Sequence, residues 1–128
     1  MQLVFISLAG DHLIKVLELD SDGGLHDQLE VPMTGGPGPL AFSPDKSVMY
    51  VGIRSTNEMA CFRVHDSGEL TEINRIDLES DPCFISIDKT GNFLLSAYYE
   101  AGHVAVHSIG SNGGVEAPAI EWRATAAR

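Results

Sequence analysis

The chain has 128 residues, 44% of them hydrophobic and 20% charged, which fits one globular domain and not a disordered protein. Its net charge of −10 and eight scattered basic residues argue against nucleic-acid or anionic-lipid binding, which depend on clustered Lys and Arg. Two cysteines, Cys61 and Cys83, are too few for a disulfide scaffold and are expected to be free, buried thiols of a cytoplasmic protein.

The apolar start, Met1 to Gly10, lacks a basic flank and meets Asp11 at once, so it reads as strand and not as a leader. No apolar run reaches the length of a membrane-spanning helix. Leu3-Val4-Phe5-Ile6 and Leu13-Ile14-Lys15-Val16-Leu17 predict two strands, followed by the turn Asp22-Gly23-Gly24-Leu25. Gly35-Gly36-Pro37-Gly38 is a connection. It lacks the helix, Lys and Ser/Thr that a phosphate-cradling loop requires. Four strands follow: Leu40 to Ser43, Val48 to Arg54, Met59 to His65 and Leu70 to Leu78. Pro44 and Gly68 sit in the turns between them, where a missing N–H and a positive φ are tolerated. Val48-Met49-Tyr50-Val51 is apolar on both faces, as a sandwiched strand should be. Thr71 to Ile76 alternates, as an outer strand should. Phe93-Leu94-Leu95-Ser96, His103 to His107 and the turn Asn112-Gly113-Gly114-Val115 then repeat the earlier order.

Gly23, Gly68 and Gly113 recur at a spacing of about 45 residues, and the preceding strands align at the same offset without a gap. A repeat of that length built from short strands and turns is one blade of a β-propeller. The fold class is therefore all-β: propeller blades of four antiparallel strands. Residues 1–37 form a three-stranded partial blade, and 38–82 and 83–128 form complete ones. About eleven strands do not close a ring, so the end blades are expected to present bare apolar faces: the chain is a fragment of a longer protein, assembles with other copies, or is a truncated product that folds poorly.

The blocks Gly38-Pro39-Leu40-Ala41-Phe42-Ser43-Pro44-Asp45-Lys46, Met49 to Arg54, Phe84-Ile85-Ser86-Ile87-Asp88 and Tyr99-Glu100-Ala101-Gly102-His103-Val104 come in the order seen in one family. The chain resembles the seven-bladed lactonase propellers, which include the propeller-type 6-phosphogluconolactonases and the carboxymuconate cyclases. The likeness covers nearly the whole chain but only the N-terminal third or so of the family. It implies hydrolysis of a sugar-acid lactone, with a small anionic lactone or carboxylate as ligand and no cofactor. It also implies that the catalytic histidine lies beyond Arg128, leaving the isolated chain inactive. A muconate-type cycloisomerase and a non-catalytic interaction propeller are the alternatives.

On the same resemblance, Arg54 at the end of a second strand holds the substrate's acid group; the plainer reading is a solvated arginine paired with Glu58 or Glu100. Tyr99, its repeat equivalent, hydrogen-bonds a substrate hydroxyl or is a rim aromatic. Glu100 is a candidate base on water. His103 faces the channel mouth or lies in a turn. His103 and His107 are about 13 Å apart on a strand at roughly 3.3 Å per residue, too far to share one ion, so no metal site is expected. His12, His26 and His65 read as turn or surface residues.

Overall fold

The computed structural model describes residues 2–99, 102–117 and 119–124. These form eleven strands and one single-turn 3-10 segment, Ala9–Asp11; no helix is long and apolar enough to cross a membrane. The strands are β1 (Gln2–Leu8), β2 (Leu13–Leu19), β3 (Leu25–Pro32), β4 (Pro37–Phe42), β5 (Val48–Ile53), β6 (Glu58–Val64), β7 (Leu70–Asp77), β8 (Phe84–Ile87), β9 (Phe93–Tyr98), β10 (His103–Ser108) and β11 (Ile120–Arg123).

They build three antiparallel sheets in sequence order: β1-β2-β3, β4-β5-β6-β7 and β8-β9-β10-β11. The first sheet has three strands and the others four, the arrangement expected of propeller blades. The strands β4 and β8 lie at the same edge of their sheets and touch each other. Bulges at Val16/Leu17 and Cys61/Phe62 occupy equivalent places in the first two sheets.

The core lies between the sheets. Ile14, Val16, Leu3 and Phe5 of the first sheet pack on Met49, Val51, Ile53, Ala60 and Phe62 of the second. Val48, Tyr50, Met59 and Cys61 on the second sheet's other face meet Ile85, Leu94 and Val115 of the third. All six residues of β5 are buried because both its faces are covered, which explains its unbroken apolar sequence. Truncating a fully buried residue such as Met49 to Ala is worth about 2–5 kcal/mol.

Polar contacts fix how the sheets stack. The Tyr50 hydroxyl donates to the Gly113 carbonyl (2.8 Å), Asn74 Nδ2 donates to the Val115 carbonyl (2.8 Å), and Gln28 Nε2 donates to the Ser67 carbonyl (3.0 Å). Gly68 and Gly113 hold φ of +95° and +89°, and each presses on the sheet before it. A Cβ would lie 2.8 Å from Val16 Cγ1 at Gly68 and 2.9 Å from Val48 Cγ2 at Gly113. Gly23, with the same backbone, has nothing within 4 Å.

One expectation needs correction, and one departure from the repeat appears beyond the strands it aligned. Cys61 is buried and free, with its thiol pushed up to about 11 by burial, but Cys83 is exposed, because it lies in the linker before β8. The third repeat also departs from the uniform offset. Val106 pairs with Ile120, whereas its equivalent Cys61 pairs with Asn74, so the last strand is displaced by one residue.

Candidate functional site

Antiparallel connections divide the turns between two ends of the sheets. One end carries the β4–β5, β6–β7, β8–β9 and β10–β11 turns. The other carries the β5–β6 turn, the β7–β8 linker and the β9–β10 turn, and there lie Arg54, Tyr99 and His103.

Arg54 leaves the end of β5, and its backbone N–H donates to the Gly36 carbonyl (3.0 Å). Its side chain crosses Gly38, where a Cβ would come within 2.6 Å of Arg54 Cγ and Cδ, so a larger residue at 38 would displace the arginine. Its Nε donates to Asp81 Oδ1 (2.7 Å) and its Nη2 to Asp81 Oδ2 (2.9 Å). This is the fork-on-fork geometry of a guanidinium with a carboxylate. Glu58, suggested as the partner, accepts instead from Thr56 (2.6 Å) and Arg75 (3.2 Å). Arg54, Ser80, Asp81, Cys83 and Tyr99 together line a small cleft on this rim. Tyr99 is 84% exposed and presents its ring at the mouth. The geometry thus brings Arg54 and Tyr99 to one cleft and adds Asp81. Glu100 lies outside the described residues.

His103 is placed otherwise than expected. It is neither a turn residue nor part of the cleft lined by Arg54 and Tyr99. It opens β10, its side chain is fully buried, and it stacks on Tyr98 with ring centroids 4.3 Å apart and an interplanar angle of 15°. Strand alternation turns His103, Ala105 and His107 to the buried face together. Ser96 Oγ donates to the Tyr98 hydroxyl (2.9 Å) beneath the stack, and burial raises the Tyr98 phenol above its ordinary range. The Nε2 of His103 and the Nδ1 of His107 have no hydrogen-bond partner among the described residues. Burial lowers the His107 imidazole, favouring its neutral form. His12, His26 and His65 are exposed, as expected.

A second polar group adjoins the same rim. Arg123 Nη2 donates to Glu79 Oε1 and to Glu121 Oε1, the latter at 2.9 Å. The Glu79 carboxyl is held below the usual carboxylate range, first by its hydrogen bond with Glu121 and then by Arg123. Glu121 Oε2 lies 3.7 Å from His103 Nε2. No motif marks this group in the sequence, because its members come from a linker and two different strands. The signal available was the alternation of His103 and His107 with Val104 and Val106.

The cleft can grip a carboxylate or phosphate through the guanidinium, beside a phenol able to donate or accept a hydrogen bond. Residues 6–127 match the family model described as "Lactonase, 7-bladed beta-propeller". The 6-phosphogluconolactonase of Xenorhabdus nematophila is 32% identical over 117 residues, covering 91% of this chain and 36% of that protein. The 6-phosphogluconolactonase of Yersinia pestis is 33% identical, covering 91% and 35%. The chain thus spans about a third of the length of these relatives. Among solved structures, a Lactobacillus plantarum protein superposes with a TM-score of 0.84 at 17% identity, over 98% of this chain and 40% of that one. The periplasmic gluconolactonase of Pseudomonas aeruginosa gives 0.80 at 21%, over 91% and 35%. At these identities the structural likeness establishes the fold.

Proposed function

This chain belongs to the seven-bladed β-propeller lactonase family, and from that premise we propose that it serves hydrolysis of a sugar-acid lactone such as 6-phosphogluconolactone. Water adds to the lactone carbonyl, the ring C–O bond breaks, and the open acid leaves. Arg54 holds the anionic group of the substrate, and Tyr99 orients it through a hydroxyl. Glu100, next in sequence, is a candidate to bind or polarise the attacking water. Asp81 takes the Nε–Nη2 edge of the guanidinium, and an incoming anion competes with Asp81 for that edge. The observation that carries the reading is the cleft shared by Arg54 and Tyr99. It is supported by relatives that bear the name 6-phosphogluconolactonase. The water-activating groups needed beyond Glu100 are assigned to blades other than these three. The 128-residue chain is therefore expected to show no lactone turnover. Hydrolysis by the purified chain that disappears in Arg54→Ala would overturn that expectation. Two free thiols support a cytoplasmic location, and the charge of −10 speaks against nucleic acid and anionic lipid as partners.

We further propose that the purified chain self-associates through its two end faces. The strand registers place Val4, Ile6, Leu8 and Leu17 on the uncovered side of the first sheet, and Phe93, Leu95, Val104, Val106, Ile120 and Trp122 on that of the third. Ile120 and Trp122 are 78% and 66% exposed. These residues occupy the repeat positions that meet inside the chain, where Met49, Val51, Ile53 and Phe62 face the first sheet and Val48, Tyr50, Met59 and Cys61 face the third. A second copy therefore stacks head to tail. Light scattering coupled to size exclusion should find two or more chains per particle at micromolar concentration. A monodisperse monomer would contradict this.

A further inference from the structure

Glu79, His103 and Glu121 come from three separate segments: the β7–β8 linker, the start of β10 and the middle of β11. One ligand atom from each lies within 4.8 Å of the other two. An acidic pair alone would mean little. The second observation is His103, whose side chain is fully buried, whose Nε2 has no hydrogen-bond partner among the described residues, and which faces Glu121 Oε2 at 3.7 Å. That separation is too long for a hydrogen bond but suits two ligands of one ion bound at about 2 Å from each. The cleft beside them, about 180 Å³, is lined further by Asp77, Tyr98 and His107, so its wall is acidic and open to small cations.

We propose that Glu79, Glu121 and His103 Nε2 form a binding site for a divalent transition-metal ion, with zinc as the best match. Two carboxylates and one imidazole make a mixed oxygen–nitrogen set, which favours zinc or manganese over calcium or magnesium. Three protein ligands leave a fourth position for water. His107 is not in the group, consistent with the strand distance that keeps the two histidines from sharing an ion.

Arg123 supplies the positive charge between the two carboxyl groups in this structure. A divalent ion in place of the guanidinium brings one more positive charge to the same acidic pair. The Arg123 side chain is 48% exposed, so it swings out without unpacking the core. Its Nη1 also lies 3.4 Å from His103 Nδ1, a contact that opens when the side chain swings out. The ion would tie the β7–β8 linker to the third sheet, on the rim that carries Asp81. The proposal is independent of the lactonase reading.

The test is a zinc titration of the EDTA-stripped 128-residue chain, followed calorimetrically in a buffer that does not chelate. One ion per chain is expected, with affinity reduced at least about tenfold in Glu79→Gln and in Glu121→Gln. Both residues are exposed, so these variants fold. Arg123→Gln, which removes the competing charge, is expected to bind more tightly. The His103 imidazole nitrogens, read by nitrogen NMR, should shift as zinc is added. No saturable binding, binding indifferent to both glutamate variants, or an unmoved His103 signal would overturn the proposal.

Discussion

Three turn glycines share one backbone conformation but not one environment, and that difference gives a graded prediction. Gly23, Gly68 and Gly113 hold φ of +87°, +95° and +89°. Alanine at any of them carries the cost of left-handed backbone, about 1–2 kcal/mol, partly offset by about 0.4–1 kcal/mol from a less flexible unfolded chain. Gly23→Ala should therefore destabilise by about 1 kcal/mol and no more, because its surroundings are open. At Gly68 and Gly113 the new methyl would also lie 2.8 and 2.9 Å from Val16 and Val48, side chains of the preceding sheet. Both valines are buried and β-branched, so neither can rotate away cheaply. Overpacking of this kind adds about 1–3 kcal/mol. Urea unfolding should show the midpoint falling about two- to fourfold further for Gly68→Ala and Gly113→Ala than for Gly23→Ala, at an unchanged slope. Equal losses at the three positions would refute the claim that these turns seat each blade on its neighbour.

Other consequences follow from single contacts. Tyr50→Phe leaves the Gly113 carbonyl without its donor and should cost about 0.5–1.5 kcal/mol, measured by the same unfolding assay. The Asp45 carboxyl is held down to about 2, first by hydrogen bonds from Ser47 and then by one from Ser43. Because the folded value lies below the ordinary one of 3.8, this contribution is present above pH 4 and is lost as the pH falls toward 2; Asp45→Asn should flatten the acid limb of a stability–pH profile. Asp81→Asn removes the carboxylate that holds Arg54, and since this is an exposed pair the stability change should stay within about 1 kcal/mol. The same variant should tighten the binding of a sugar-acid anion, which calorimetry would detect.

The fold was legible because the repeat writes itself in glycine turns and in the apolar runs between them. The Gly68 and Gly113 spacing located the hairpins, and Val48 to Val51 announced a strand covered on both faces. The last strand was less legible. Its slip of one residue at Ile120 follows from a longer connection after Val115 that no periodicity records. Arg54 and Tyr99 were placed together because they are repeat equivalents at the ends of second strands. Asp81 was not foreseen, since a carboxylate in a linker carries no pattern until the chain brings it to the guanidinium. His103 was misplaced for a related reason. The alternation with Val104 and Val106 puts the two histidines on one face, but apolar residues lie on both faces of the strand, so it does not say which face is buried.

The central claim is that the rim around Arg54 holds the anionic group of a sugar acid. The most direct measurement is a titration of the 128-residue chain and its Arg54→Ala variant with 6-phosphogluconate, followed by amide NMR. The account predicts saturable shifts centred on residues 52–54, 80–83 and 99, abolished in the variant. Shifts that are absent, that cluster at the opposite rim around residues 43–47 and 109–113, or that persist in Arg54→Ala would contradict it.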